Sequence, residues 1–560
     1  MAHRGQAPAR MKLLPFLAWP RLTRETARAD LLAGVTVASV AIPQSVAYAS
    51  LAGMPLVTGL YACLLPSLVG TLWGSAPRIA TGPVALTSIL TMSSLSTLAI
   101  PGSSEWVQYA LWLAILAGVI QLAFGALRGT WLFNLISLPV LHGFTQAATL
   151  LIIVSQIPQL LGTTGVRMGS SSLQLGSLNL HAASAFFGVS ALAALLLCRR
   201  VLPRFPAVAL AAALGALVSW SVGFESLGGA VVGALPAGLP VLGFPAMITG
   251  SEMLRLIPTA VTIACISFVE TMSSARTESA SMPTAWNAPQ EAIAQGLAKI
   301  ASGLSGSFPV STSFSRSALN RYAGAQSTWA TMFAVAFVAL FVAFAIESMR
   351  TIPMAVLAAI IVTPLLPMLT VQLWLQLWKV SRTDCCIGII TLVATLMLAP
   401  AIHWGVALGV TLTLLKYMWS NLHPRIIEVG RHTDGSLRDR ERFTLPVLID
   451  GCFAVRVDAA LDFVSAASVE AFIVKHMRRT PSVRCICLFA SGINSIDATG
   501  HATLNAICER ANSAGIAVVL CALKAQPEDV LRVTGLFGRA DVYSARTEDE
   551  ALALVRKLVG

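Results

Sequence analysis

From 31 to 418 the chain is a succession of apolar runs divided by short polar or Gly/Pro-rich turns. The runs fall at about 31–50, 56–74, 84–99, 106–127, 131–162, 182–198, 206–223, 253–274, 291–305, 310–321, 329–347, 353–378, 384–400 and 402–420. Most approach the length of about 20 residues that a helix needs to cross a bilayer. Fourteen crossings put both ends of the chain on one side. The basic residues Arg4, Arg10, Lys12, Arg21, Arg24 and Arg28, then Arg78, Arg128, Arg199, Arg200, Arg204, Lys379, Arg382, Lys416 and Arg425, assign that side to the cytoplasm. The segment 224–250 holds no Lys or Arg, as an outside loop should. Beyond 425 charges become frequent, and apolar strand segments alternate with amphipathic helices. That pattern predicts a small soluble α/β domain. The expected order is a cytosolic segment 1–29, a transmembrane domain 30–424, a linker 425–442 and an α/β domain 443–560.

Two runs are interrupted. In 302–320, SGLSGSFPVSTSFSRSALN, Pro309 stops any arriving helix, and a new one is expected to start behind it. Its start is crowded with hydroxyls (Ser311, Thr312, Ser313 and Ser315) around Phe314, with Arg316 one or two turns inside. In 75–86, SAPRIATGPVAL, Gly82-Pro83 plays the same part, and Thr87 and Ser88 follow. A helix N-terminus carries unpaired N–H groups and a partial positive charge. Placed in mid-membrane, it binds anions. The halves also match: aligning 33–48 with 260–275 sets Gln44 opposite Thr271. The same offset of 227 carries Gly82 onto Pro309. Seven runs per half make this an inverted repeat, the plan of secondary transporters.

Composition agrees. Hydrophobic residues make up 56% and charged residues 11% of the 560, against about 25% charged in soluble proteins. The formal charge of +12 lies beside the apolar runs, so it points to the lipid bilayer and not to nucleic acid. The ten Cys form no CxxC pair, and reduced thiols are expected. Nothing resembles a phosphate loop or a catalytic triad, so the chain reads as a transporter and not an enzyme, with no metal or cofactor.

Among the carboxylates, Glu270 alone is placed in mid-membrane. Asp30, Glu105, Glu225, Glu252, Glu347 and Asp384 fall near run ends. An ionisable group there costs about 3 kcal/mol on insertion scales, and such groups are usually functional. Glu270 is read as a protonatable or cation-binding group beside the anion site, or else as a structural partner of Arg316. Thr271 would help to ligate sodium if sodium is the coupling ion. Pro43 is expected to open the first helix locally, leaving Gln44 and Tyr48 to face a cavity or to join helices. Lys299 is deep, is expected to snorkel to water, and is left outside the site.

The stretches 30–85, DLLAGVTVASVAIPQSVAYASLAGMPLVTGLYACLLPSLVGTLWGSAPRIATGPVA, and 296–320, GLAKIASGLSGSFPVSTSFSRSALN, resemble the signatures of the SulP family of anion transporters. The tail from 443 resembles a STAS domain. The resemblance implies a polytopic fold of 14 spans as a 7+7 inverted repeat. A core (spans 1–4 and 8–11) would move against a gate (spans 5–7 and 12–14), commonly in a homodimer of the plasma (inner) membrane. It places an anion between spans 3 and 10, near Gln44, Tyr48, Gly82, Pro83, Val84, Ala85, Ser315 and Arg316, and ties Glu270 to proton or sodium coupling. The likeness is looser at Lys299 and Gly306-Ser307. In the STAS loop Asp497 precedes Ala498, where phosphorylated relatives carry Ser. The resulting expectation is proton-coupled sulfate uptake by an elevator-like movement. Sodium-coupled bicarbonate and proton-coupled dicarboxylate transport are the near alternatives. An anion channel or sensor, signalling to a cytosolic partner through the STAS domain, is the distant one. A nucleobase permease is disfavoured by the STAS tail and by Arg316.

Overall fold

Thr23 and Thr26 exchange side-chain and backbone hydrogen bonds and so cap the first helix, α1 (Arg24–Leu51). The computed structural model describes residues 13–19, 22–168, 173–201, 206–279 and 286–560. The chain forms two units, Met1–Thr413 and Leu414–Gly560. Contrary to expectation, α1 runs through Pro43 unbroken. A proline costs a helix one backbone bond, which membrane helices tolerate when neighbours hold them. Here the neighbours are very close: a Cβ on Gly59 would lie 1.9 Å from the Ser45 carbonyl oxygen, and one on Gly34 would lie 2.6 Å from that of Ala330.

The run at 56–74 is two helices, α2 (Val57–Ala62) and α3 (Leu65–Trp73). Then come a two-residue strand β1 (Thr81–Gly82), α4 (Ala85–Leu95), α5 (Ser104–Ala126) and α6 (Leu138–Leu161). Strands β2 (Thr163–Met168) and β3 (Leu173–Leu180) form a hairpin that the pattern did not foretell. Helices α7 (Ala182–Val201) and α8 (Ala207–Val222) close the first half. The second half holds α9 (Gly250–Ser279), α10 (Ala288–Leu304), strand β4 (Ser311–Thr312), α11 (Phe314–Tyr322) and α12 (Trp329–Phe344). The run at 353–378 is again divided, into α13 (Met354–Leu365) and α14 (Val371–Val380), where Pro364 and Pro367 interrupt the backbone. α15 (Arg382–Met397) and α16 (His403–Leu422) complete the apolar region. Six helical stretches among the described residues are long and apolar enough to cross a membrane.

Two packing groups emerge. α1 packs on α2, α11 and α12; α10 packs on α3, α5 and α9. α6 packs on α7, α13 and α15, and α7 on α8 and α13, while α1 also touches α8 and α13 where the two groups meet. The α5–α10 contact is closed by glycines. A Cβ on Gly118 would lie 2.7 Å from Gly296 O, one on Gly296 would lie 2.6 Å from Leu122 N, and one on Gly303 would lie 2.6 Å from Leu111 O. Small residues let membrane helices touch backbone to backbone. Gly296→Val is therefore expected to lower the stability of the purified protein by about 3 kcal/mol, seen as an earlier thermal unfolding transition. An unchanged transition would show that the two helices can separate freely.

The second unit is a six-stranded sheet in the order β10-β9-β8-β7-β5-β6. Its elements are β5 (Ile426–Arg431), β6 (Leu437–Asp439), β7 (Cys452–Val457), α17 (Ala466–Arg479), β8 (Cys485–Phe489), α18 (Ala498–Ser513), β9 (Ala517–Cys521), α19 (Ala525–Val533), β10 (Val542–Ala545) and α20 (Glu548–Val559). The stretch 425–442, expected as a linker, carries β5 and β6, and β5 pairs antiparallel with β7. Val455 and Leu488 face α17 and α18, whereas Cys452, Cys485 and Cys487 face α20. Asp497 caps α18: the N–H of Gly500, 2.7 Å away, holds its carboxyl below the usual carboxylate range.

Candidate functional site

The two interrupted stretches meet. β1 and β4 pair antiparallel, Thr81 with Thr312 and Gly82 with Ser311. Ser311 lies two residues beyond the partner that the offset of 227 gives Gly82. Ser311 and Thr312 are therefore strand residues and not part of a helix's first turns, as the sequence had suggested. The crossing is tied further by Ser313 N–H to Ala80 O (2.9 Å) and by Ala80 N–H to the Ser317 hydroxyl (3.0 Å). The lead-in is pinned as well. Gly306 takes a left-handed turn after α10, Ser302 donates to Phe308 O (2.6 Å), and Ser307 donates to Thr58 O (2.8 Å).

Each strand feeds a helix. α4 follows Pro83 and Val84, and no side chain caps it, so the first amides from Ala85 on are left for another acceptor. Thr87 and Ser88 donate back to Val84 O and so turn their hydroxyls away from those amides. α11 is capped by Ser313, which accepts from Arg316 N–H (3.3 Å). Phe314 and Ser315 are exposed, whereas Ser311, Thr312, Ser313 and Arg316 are buried.

Arg316 is the third residue of α11, and its guanidinium reaches across the crossing. Nη2 donates to Pro83 O (2.7 Å), and Nη1 contacts Cys63 Sγ (3.7 Å). A Cβ on Gly82 would stand 2.9 Å from Nη2, so the glycine leaves room for the fork. The buried Nε has no partner among the described residues.

Glu270, on α9, accepts from the Ser311 hydroxyl (3.1 Å). Thr271 donates to Ser267 O (2.8 Å) and to the Thr312 hydroxyl (2.9 Å). Glu270 and Thr271 thus touch both residues of β4. No ion pair joins Glu270 to Arg316 among the described residues, which removes the reading of Glu270 as that arginine's structural partner. Tyr48, buried on α1, lies close enough to interact electrostatically with both Arg316 and Glu270. Gln44 is one turn earlier, and its buried amide oxygen has no partner among the described residues.

A family model described as the sulfate permease family matches residues 28–391, and a STAS domain model matches 446–550. The first spans well over half of the chain.

The chain belongs to the sulfate permease family.

That family is one of anion transporters. The chain is 28% identical over 522 residues to a probable sulfate transporter of Mycobacterium tuberculosis, covering 92% of this chain and 93% of the relative. It is 27% identical over 563 residues to a sodium-independent sulfate anion transporter of Bos taurus, covering 93% and 88%. Among solved structures it is similar in fold to the murine Solute Carrier 26 family member A9 anion transporter in the inward-facing state. The TM-score is 0.86 at 21% identity, covering 99% of this chain and 97% of that one. The transmembrane domain of a cyanobacterial bicarbonate transporter gives a TM-score of 0.58 at 18% identity, over 70% and 99%. The chain is therefore a polytopic α-helical membrane protein with a C-terminal α/β STAS domain.

Sequence reasoning left several residues out of this permease fold. Cys63 lies against Arg316, and nothing in its apolar surroundings flags it. Asp30, expected at a run end, is fully buried and accepts from Gln326 N–H (2.6 Å), Ser327 N–H (3.1 Å) and the Ser327 hydroxyl (2.5 Å). Lys299 does not snorkel: it is fully buried and donates to Gln121 Oε1 on α5 (2.7 Å). A polar residue every fourth position on α10 was the available signal. A cavity of about 530 Å³ is lined by apolar residues such as Ile42, Ala212, Trp220 and Phe341 and by none of the residues of this site. Beside Arg316, Cys63 and Thr81 is a void of about 30 Å³, room enough for water.

Proposed function

We propose that this chain is a secondary active transporter that takes up a small inorganic oxyanion, sulfate first, together with a proton. The observation that carries the reading is the crossing of β1 and β4. It directs the uncapped start of α4 and the start of α11 to one place, with the Arg316 guanidinium between them and Glu270 one hydroxyl away. Helix N-termini and an arginine suit a compact oxyanion, which accepts several hydrogen bonds at once. A neutral nucleobase has no use for that field. Gln44, Tyr48, Gly82, Pro83, Val84, Ala85, Ser311, Thr312, Ser313, Phe314, Ser315 and Arg316 are the residues assigned to the anion, and Glu270 with Thr271 to coupling.

A proton is favoured over sodium because, among the described residues, Glu270 meets one hydroxyl and no second carboxylate, whereas a sodium site needs a cage of oxygens. The name of the bovine relative, a sodium-independent sulfate anion transporter, leans the same way. The two packing groups support an elevator-like cycle. The helices that carry the site (α1 to α5 and α9 to α12) would move as a core against α6 to α8 and α13 to α16. Fourteen spans in two inverted halves, a homodimer and cytoplasmic termini complete the reading.

Radiolabelled sulfate uptake into proteoliposomes tests it. An inward proton gradient is expected to raise the initial rate several-fold and to drive accumulation above the outside concentration. Bicarbonate uptake that requires sodium, with no sulfate uptake, would reverse the assignment.

A further inference from the structure

Four polar side chains recur along one face of α10: Glu291, Gln295, Lys299 and Ser302, each at most 1% exposed. Three have structural duties. Glu291 accepts from Ser75 N–H (2.9 Å) and Ala76 N–H (3.3 Å), Gln295 donates to the Thr81 hydroxyl (2.8 Å), and Ser302 donates to Phe308 O. Lys299 is different. Its Nζ has three protons to donate, and among the described residues its one hydrogen bond goes to Gln121 Oε1. Gln121 is fully buried and its amide nitrogen has no partner among the described residues. Its oxygen also receives a long bond from the Ser267 hydroxyl (3.4 Å), one turn before Glu270 and Thr271 on α9. Gln121 thus ties Lys299 to the turn of α9 that precedes Glu270, with no direct ion pair between lysine and carboxylate among the described residues. A buried ammonium carries a large desolvation cost, and one neutral amide offsets little of it. An acidic neighbour that becomes ionised in the transport cycle offsets more.

We propose that Lys299 is a tethered cation for Glu270. Its ammonium supplies, beside the ionised carboxylate, the positive charge that a sodium-driven transporter would take from solution, and so it sets the ion selectivity of coupling. The inference rests on the reading of Glu270 as the coupling group. With Glu270 ionised, Arg316 and Lys299 leave the three groups with one net positive charge. A proton on Glu270 raises that to two, which strengthens the hold on an anion at β1–β4. Sodium has no vacancy to fill, because its charge is already present on a side chain.

Two measurements on the purified full-length protein test this, each in sodium chloride against choline chloride at equal ionic strength. They are thermal unfolding in detergent and radiolabelled sulfate uptake in proteoliposomes. The wild type is expected to show no sodium shift in either. Lys299→Ser removes the charge and leaves a hydroxyl oxygen and space. It is expected to take up sulfate about tenfold more slowly in choline, to recover part of that rate in sodium, and to unfold later in sodium than in choline. Lys299→Arg keeps the charge and should stay indifferent to sodium. Adding Glu270→Gln to Lys299→Ser should abolish the sodium shift. Sodium stabilisation or stimulation of the wild type overturns the proposal, and that result needs no variant to fold. A Lys299→Ser protein that ignores sodium in both measurements overturns it as well. The unfolding readout does not depend on which anion is carried, so an absence of sulfate uptake counts against the transport reading alone.

Discussion

Arg316→Ala is expected to reduce proton-driven anion uptake by about a hundredfold, equivalent to about 3 kcal/mol, the scale on which truncating a buried charged partner acts. The guanidinium spans the crossing from α11 to Pro83 O on the other strand's exit, so its removal takes away both the local positive field and a bond that holds the two helix starts together. Arg316→Lys tests which matters more. A lysine keeps the charge but offers a point where arginine offers a fork. It cannot contact Pro83 O and Cys63 together, and about a tenth of wild-type uptake is expected to survive. Initial rates in proteoliposomes, normalised to folded protein, decide the matter. Full activity of Arg316→Ala would remove Arg316 from the site, and equal loss in both variants would assign the whole effect to the guanidinium's geometry.

Glu270→Gln should separate coupling from carriage. The amide still pairs with the Ser311 hydroxyl, so the shape around β4 is kept, but it exchanges no proton. Uptake driven by a proton gradient is expected to fall to the level of the ungradiented control, whereas exchange of internal for external labelled anion continues. A variant that still accumulates the anion against its gradient would place the proton elsewhere.

Part of this architecture was legible in the sequence because it is written in helix breakers. Gly82-Pro83 and Pro309 each stand beside flexible or polar residues that reinforce the break, and the hydroxyls and Arg316 behind them are rare in apolar surroundings. Glu270 stood out for the same reason. What stayed hidden depends on contacts between distant segments. That 81–82 would pair with 311–312 is a matter of tertiary register, so Ser311 and Thr312 read as helix when they are strand. Pro43 read as a break because the close packing that holds α1, Gly34 against Ala330 and Gly59 against Ser45, joins separate helices and leaves no mark in the pattern. The strand at Ile426–Arg431 read as a connection because its partner, β7, begins more than twenty residues later. Lys299 read as a surface-seeking cation because Gln121, which holds it, lies on another helix far earlier in the chain.

The polar face of α10 also bears on how the protein reaches the bilayer. Helices enter a membrane from the translocon according to their own apolarity, and a charged residue near the centre costs about 3 kcal/mol on that scale. α10 carries Glu291, Gln295 and Lys299, and α11 carries Arg316 and Arg321 in nine residues. Neither is among the stretches apolar enough to cross alone. Glu291, Gln295, Lys299 and Arg316 find partners in Ser75, Ala76, Thr81, Gln121, Cys63 and Pro83, all of which are synthesised first. On this ground the first half of the chain is expected to serve as an internal insertion partner for the second. The proposed site would then be completed only when α10 and α11 are admitted to the membrane, so a mutation that spoils it from either side is expected to act during biogenesis as well as during transport.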